Sequence, residues 1–395
     1  MSRWVVAAGA LVVSLDSMMN IAFPAIAVAL GVPPERVRWI IIFYVLTYAL
    51  MSFAGGAAAD RLGHALVFRS GLALSALAFI MGGVAAGLGW LLVARVIQGL
   101  GAGLVFGTAP ALVTAGAPSE ARGRRLGFLN AAMGLGAFGP LVAGFLVDSF
   151  GWRAVFHVRV PFAVGVLGWA VLASSAPVVS ERRPVTLGDL ARGGVLRASV
   201  LAFVARGAIF AIWLLVPFYL VDTRGLGASV GGIFFMLTPL GAAAAAPIGG
   251  RVADRIGASA PAVAGLVMQT AGLGFLGFVD GATPLWLIAL ALFVAGFGLG
   301  FFEVPNMTTI MTAFPAGRQG AAGGLAFLTR TLGVVAGVAL LGELVAARSA
   351  TVGFLGAFEE SLRASALAVA AALVFALVGR ARSPLRPPGR YTAGP

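Results

Sequence analysis

The chain has no cysteine and no lysine among its 395 residues. Without cysteine there can be no disulfide, no thiolate metal ligand and no cysteine nucleophile. Histidine is scarce as well: His64 and His157 are the full complement, too few for a histidine-rich metal site. Charged residues make up 10% of the chain, against about 25% in a typical soluble domain. No nucleophile–base pair or metal-ligand cluster is legible, so a membrane-embedded enzyme is the least favoured class, and neither a metal nor a cofactor is expected. The alternating pattern of a membrane barrel is missing, and so is any polar stretch long enough for a separate soluble domain.

What is present is apolar. Sixty per cent of residues are hydrophobic, and stretches long enough to span ~30 Å of hydrocarbon recur along the whole length. Twelve can be read, near 3–30, 35–59, 66–86, 89–114, 124–148, 154–174, 197–221, 229–252, 258–279, 284–313, 318–346 and 361–379. Backbone in lipid must satisfy its own hydrogen bonds, so these spans are helices. The first span has no small-residue cleavage site and is expected to be retained.

The formal net charge is +13, which could suggest nucleic acid, but the distribution argues otherwise. All the basic residues are arginine, and most sit in short connectors. With the N-terminus inside, Arg3, Arg61, Arg69, Arg122, Arg124, Arg125, Arg182, Arg183, Arg192, Arg197, Arg251, Arg255, Arg318 and the tail arginines Arg380, Arg382, Arg386 and Arg390 fall on one side. Mainly Arg36, Arg38, Arg153, Arg224 and Arg348 fall on the other. This is the positive-inside asymmetry, so both termini are expected in the cytoplasm, with anionic lipid headgroups as partners and no nucleic acid.

The chain repeats itself. Residues 55–63 read GGAAADRLG and residues 249–257 read GGRVADRIG, 194 residues apart. At the same offset, Gly123-Arg124 matches Gly317-Arg318, and Arg3 matches Arg197. The expected architecture is an all-α membrane protein of two pseudo-symmetric six-helix bundles, 1–176 and 197–379, with a binding site between them. Residues 177–196 read as a polar cytoplasmic linker with a short surface helix near 186–192, and residues 380–395 as a disordered cytoplasmic tail. Glycines at helical spacing (Gly99, Gly103 and Gly107; Gly136 and Gly144; Gly296 and Gly300) read mainly as close helix packing.

Ionisable side chains inside a bilayer are costly and each needs a reason. Asp16 lies mid-way along the first span, roughly 20 Å from its cytoplasmic end, with Asn20 on the same face. It is read as a proton carrier or cation ligand, against a purely structural hydrogen bond. Arg95 and Gln98 share a face of the fourth span, roughly 8 Å further out. Arginine does not titrate in the working range, so Arg95 can hold a nearby carboxylate or a substrate anion but cannot itself carry the proton. Glu303, followed by Pro305 and Asn306, lies at roughly 15 Å, with Arg206 at roughly 14 Å and Arg330 at roughly 18 Å. Three charges at one depth suggest a network; alternatively Glu303 only neutralises an arginine. Glu343 and His157 lie near span ends, where an interfacial position explains them. Arg159 lies deeper, with no partner legible. Aromatics such as Phe43, Tyr44, Phe210, Trp213, Phe301 and Phe302 could line an apolar cavity. The Asp60-Arg61 and Asp254-Arg255 turns, closed by Gly63 and Gly257, could cap a helix in the opposite half and latch the cytoplasmic mouth; the bland alternative is a topological loop.

With these residues assembled, the chain resembles the major facilitator superfamily over essentially its full length. Gly56-x-x-Ala59-Asp60-Arg61-x-Gly63 is similar to that superfamily's loop 2–3 motif, with His64 and Ala65 where a basic pair is usual, and residues 250–257 resemble its second copy. Arg95-x-x-Gln98-Gly99-x-Gly101 resembles the span-four motif, whose arginine is associated with proton coupling. Gly139-Pro140-x-x-Ala143-Gly144 resembles the span-five motif of drug/proton antiporters. The run Leu15–Pro24 resembles the span-one signature of a branch that usually has fourteen spans. So does Gly151-Trp152-Arg153-x-x-Phe156-x-x-x-x-Pro161, with Arg159 in place of the expected asparagine.

The resemblance implies that spans 1, 4, 7 and 10 line a central cavity. It implies a bacterial inner-membrane, proton-coupled exporter of lipophilic or amphipathic compounds, working by rocking-switch alternating access, powered by the proton gradient alone. In that reading Asp16 is the first choice for the protonated carboxylate and Glu303 the second, and Arg95 modulates Asp16. Asn20, Gln98, Arg206, Asn306 and Arg330 belong to the substrate cavity, and Arg206 and Arg330 pair with Glu303 or with an anionic part of the substrate. Gly139, Pro140 and Gly144 shape the span that seals one face, and a monomer is expected. Lipid export by the same fold, symport of a small organic anion and a non-transporting sensor or scaffold stay open as alternatives.

Overall fold

The computed structural model describes residues 2–116, 119–173, 194–314 and 319–381. The expected linker falls largely outside this range, as does nearly all of the expected tail. Among the described residues every regular element is helical. Ten helical stretches are long and apolar enough to cross a membrane singly. Spans 1 to 6 are Arg3–Ile21, Pro34–Leu62, His64–Gly83, Leu88–Thr114, Arg125–Phe150 and Ala154–Leu172. Spans 7 to 10 are Val195–Thr223, Ala228–Ile256, Ser259–Leu276 and Leu285–Thr312.

The remaining helix, Gln319–Ala381, runs for 63 residues, which at 1.5 Å per residue is about three bilayer thicknesses. It is two helices. Gly353 has φ 72° and ψ 175°, a backbone region open in practice only to glycine. Across that bend Arg348 donates to both oxygens of Glu360, at 2.6 and 2.8 Å. Twelve residues of straight helix would hold them about 18 Å apart. Further on, Arg197 at the start of span 7 donates to the Ala376 carbonyl at 2.5 Å, and Leu325 packs with Val195 and Ala198. Both ends of the long helix therefore lie beside the start of span 7, and its arms are spans 11 and 12. The total is the twelve expected from the sequence.

The two halves repeat one packing scheme. Spans 1 and 5, 2 and 4, and 3 and 4 pair in the first half; spans 7 and 11, 8 and 10, and 9 and 10 pair in the second. Small residues allow it. Gly99 lies against the Tyr44 carbonyl, Gly103 against Met51 and Ser52, and Gly107 against the Ser52 carbonyl; Gly296 and Gly300 meet Thr238 and Ala242 in the same way. Lipid and protein interior are equally apolar, so helices associate through such close contacts rather than through hydrophobic burial. The outer surface carries Leu172 at 86% exposure and Phe150 at 71%, side chains placed where lipid, not water, would cover them.

Arginines at span ends do more than set topology. Arg153 donates to the Ala85 carbonyl at 2.7 Å and Arg363 to the Gly277 carbonyl at 2.6 Å. These are equivalent places in the two halves, and each arginine satisfies a backbone carbonyl at or just past a helix end. Arg69 does the same at the end of span 6, bonding the Ala170 and Ala173 carbonyls.

A Cβ added at Gly103 would approach within 2.7 Å of Met51 Cβ and Ser52 N. Gly103→Val is therefore expected to destabilise the protein by about 1–3 kcal/mol through overpacking of spans 2 and 4. A thermal melt in detergent, followed by fluorescence-detected size exclusion, checks this; an unchanged midpoint would show that the two spans are not held by that contact.

Candidate functional site

Span 1 is not a continuous α-helix. It runs α-helical from Arg3 to Ser14, tightens into a 3₁₀ turn at Leu15–Ser17, and resumes at Met18. Span 5 has its own 3₁₀ turn at Leu135–Phe138, packed against the first. The Ser17 hydroxyl donates to the Gly136 carbonyl at 2.7 Å, and Gly136 has room only for a hydrogen because the Ser14 carbonyl lies over it. Asp16 sits at the centre of this paired break.

Four side-chain donors converge on its carboxylate. Arg95 reaches across from span 4 with Nη1 at 2.5 Å from Oδ1 and Nη2 at 2.9 Å from Oδ2. Gln98 Nε2 lies 2.7 Å from Oδ1, and Arg159 Nη1 of span 6 lies 3.5 Å from it. The bidentate fork is the strong form of this interaction. Each partner is held in turn. Arg95 Nε donates to the Ile40 carbonyl, its Nη1 also bonds Gln98 Oε1, and its guanidinium lies 4.2 Å from the Tyr44 ring centre. Arg159 Nε donates to the Val155 carbonyl, and its guanidinium stacks on Phe79 at 4.5 Å. The length of the arginine side chain closes the axial gap between Arg95 and Asp16 that residue counting gives. Arg159, without a legible partner in the sequence, is the group that completes the cluster.

Glu303 of span 10 forms the second cluster. Arg206 Nη2 of span 7 lies 2.6 Å from Glu303 Oε1, out of hydrogen-bond alignment, and Arg330 Nη1 of span 11 lies 3.8 Å away. The three charges counted to one depth do meet. Asp16, Arg95, Arg206, Glu303 and Arg330 all face a single cavity of about 620 Å³ between the halves, with Asn20 on its wall. Tyr44, Tyr48, Phe106, Phe210, Trp213 and Phe327 supply its aromatic surface. Gln98 is buried behind Asp16. Asn306 donates instead to the Ala198 carbonyl at 3.0 Å and borders a small side recess beside Glu303 and Arg330. Phe302 is fully buried away from the cavity, and Phe43 is exposed on the outside.

One end of the cavity is sealed. Gly144 of span 5 lies on the Ala228 carbonyl of span 8, and the Pro140 carbonyl lies on Gly232; Gly139 packs on Ser17 and Met18. Asp148 then accepts the first two backbone N–H groups of span 8, Ala228 at 2.9 Å and Ser229 at 2.7 Å. That places a carboxylate from one half on the N-terminus of a 29-residue helix in the other. Between spans 2 and 11, Arg38 donates to Glu343 at 2.5 Å, its stem lying over Gly342. Glu343, read from the sequence as interfacial, is thus part of a contact between halves. The seal lies at the end opposite Arg3 and Arg197.

At the arginine-rich end, Asp60, Arg61, Asp254 and Arg255 are exposed, as are Gly63 and Gly257, while Gly56 is buried in span 2. Asp60 lies 3.5 Å from His64 of its own half. No ion pair joins either turn to the opposite half among the described residues.

Residues 5–338 match the sequence profile of the Major Facilitator Superfamily. The chain belongs to that superfamily and is a multi-pass membrane transporter of it. It is 30% identical to the multidrug resistance protein Stp of Mycobacterium tuberculosis, over 86% of this chain and 74% of that one. It is 28% identical to the tetracenomycin C resistance and export protein of Streptomyces glaucescens, over 87% and 75% of the two chains. Among solved structures, a bacterial homologue of the human lysosomal transporter Spinster, in an inward-facing and unoccupied conformation, superposes with a TM-score of 0.77 at 16% identity, covering 96% of this chain and 95% of that one.

Asp148→Ala removes both acceptors from the start of span 8, a loss of about 1 kcal/mol. The expected outcome is a larger population open at the sealed end. Because the chain has no native cysteine, labels at Val28→Cys and Val352→Cys, both exposed near that end, can report it by double electron–electron resonance. An unchanged distance distribution would show that this cap does not hold the seal.

Proposed function

We propose that the protein is a proton-coupled antiporter that expels lipophilic or amphipathic compounds from the cytoplasm by rocking-switch alternating access. The observation that carries this reading is the Asp16 carboxylate, placed on the cavity wall between Arg95 and Arg159 at a break in span 1. Protonating Asp16 would remove an acceptor from the Arg95 fork. Proton uptake would thereby be coupled to the relation between spans 1 and 4. Glu303 is the second candidate carrier. The apolar, aromatic walls and the cavity volume suit a drug-sized molecule, and relatives named for drug resistance and export favour efflux.

In this proposal the arginine-rich end faces the cytoplasm of a bacterial inner membrane, with both termini inside. The sealed far end then makes this the inward-open state. The Asp60-Arg61 and Asp254-Arg255 turns would engage the opposite half when the rock reverses. The proton gradient supplies the energy, the protein works as a monomer, and the bundles 1–176 and 197–379 move as the two rocking units.

Proteoliposomes with an imposed pH gradient test the proposal. Substrate-dependent proton flux is expected with wild type and is expected to fall at least about tenfold in Asp16→Asn. Glu303→Gln run in parallel separates the two carboxylates. Proton flux absent with every compound, or intact in both variants, would defeat proton coupling through these groups.

A further inference from the structure

The two charged clusters differ in how fully their donors are used. Arg95 has spent all three guanidinium nitrogens on Asp16, Gln98 and the Ile40 carbonyl. Arg206 and Arg330 have not. Their only acidic neighbour among the described residues is Glu303, and Arg330 touches it only at 3.8 Å. Both side chains remain partly open to the cavity, at 25% and 30% exposure. One carboxylate between two guanidinium groups leaves a net positive charge on this partly buried wall. Such a charge calls for a counter-anion.

The surroundings suit an anion attached to a ring. Phe210 stands one helical turn beyond Arg206 and packs on Trp213, with ring centres 5.0 Å apart. Phe327 stands one turn before Arg330 and meets Tyr48 edge-on at 5.3 Å. All four rings line the cavity. The Trp213 indole Nε1 is buried without a hydrogen-bond partner, so the ring presents an apolar surface to the cavity. Flat apolar faces next to unspent guanidinium donors bind a planar ring system carrying a carboxylate.

We infer that the cavity selects amphipathic aromatic monoanions, with Arg330 and Arg206 holding the anionic group and the Tyr48–Phe327 and Phe210–Trp213 pairs holding the ring system. This rests on the transporter reading above and names the substrate class of the same cavity. Asp16 and Arg95, whose guanidinium nitrogens are all bonded, then take no direct part in holding the anion.

The test uses full-length protein in nanodiscs, at fixed pH with no gradient, and three matched probes. Anthracene-9-carboxylate is anionic, anthracene-9-carboxamide neutral and anthracen-9-ylmethylammonium cationic. Binding is measured by equilibrium dialysis against empty nanodiscs. The carboxylate is expected to bind about tenfold more tightly than the amide, and the ammonium ion most weakly. Arg330→Gln is expected to erase the preference for carboxylate over amide, and Arg330→Lys to keep most of it. Should Arg330→Gln fail to fold, the ranking on wild type and Arg330→Lys decides. Equal binding of the three probes, preference for the ammonium ion, no binding above empty discs, or a carboxylate preference intact in a folded Arg330→Gln protein would each overturn the inference. Because no gradient is applied, such a result leaves proton-coupled efflux standing. Absence of substrate-dependent proton flux in the wild-type protein, with the anion preference intact, would defeat proton coupling and leave this inference standing.

Discussion

An ionised carboxylate in hydrocarbon must be surrounded by donors, and the first half of this protein is organised around meeting that demand at Asp16. Span 1 abandons α-helical geometry at that residue, span 5 breaks beside it, and spans 4 and 6 each send in an arginine. The tightness of the small-residue contacts follows from the same demand. Gly99 and Gly103 let spans 2 and 4 lie close, and across that contact the Ile40 carbonyl of span 2 holds the Nε of the arginine that reaches Asp16.

The second half uses the same helix pairings with different chemistry. Glu303 is approached by two arginines at unequal distance, one out of hydrogen-bond alignment. No counterpart of the paired helix break is present there among the described residues. Duplication thus supplied a scaffold, and the charged positions then diverged within it. The Asp16 carboxylate accepts four side-chain donors whereas Glu303 Oε1 accepts none, so the first cluster is the more tightly fixed of the two.

The fold was largely legible because its signals are additive along the chain. Twelve apolar stretches, arginine asymmetry and a nine-residue sentence said twice do not depend on side-chain detail. The contacts of the site depend on it heavily. Counting rise per residue brought Glu303, Arg206 and Arg330 to one depth, and they meet. The same count separated Arg95 from Asp16 because it ignores the reach of an arginine side chain. Arg159 had no visible partner because its partner lies 143 residues away on another helix, and nothing in one sequence links them. Asp148 and Glu343 stand near span ends, where charge is cheap, so Glu343 read as interfacial and Asp148 carried no signal. Their roles depend on how the halves dock, which hydropathy does not encode. Asn306, which the resemblance puts in the substrate cavity, has its side chain on the Ala198 carbonyl and borders a small recess beside Glu303 and Arg330.

The seal between the halves is modest in strength. It rests on glycine-to-carbonyl contacts, one capped helix end and one ion pair whose Glu343 side chain is 72% exposed. A cap is worth about 1 kcal/mol and an exposed ion pair about 0–1 kcal/mol. Moving one elementary charge through 100 mV releases about 2.3 kcal/mol. The polar contacts of the clasp are therefore no larger than the energy one charge gains in crossing such a potential. If the proposed cycle carries charge across the membrane, an ordinary membrane voltage is enough to part them.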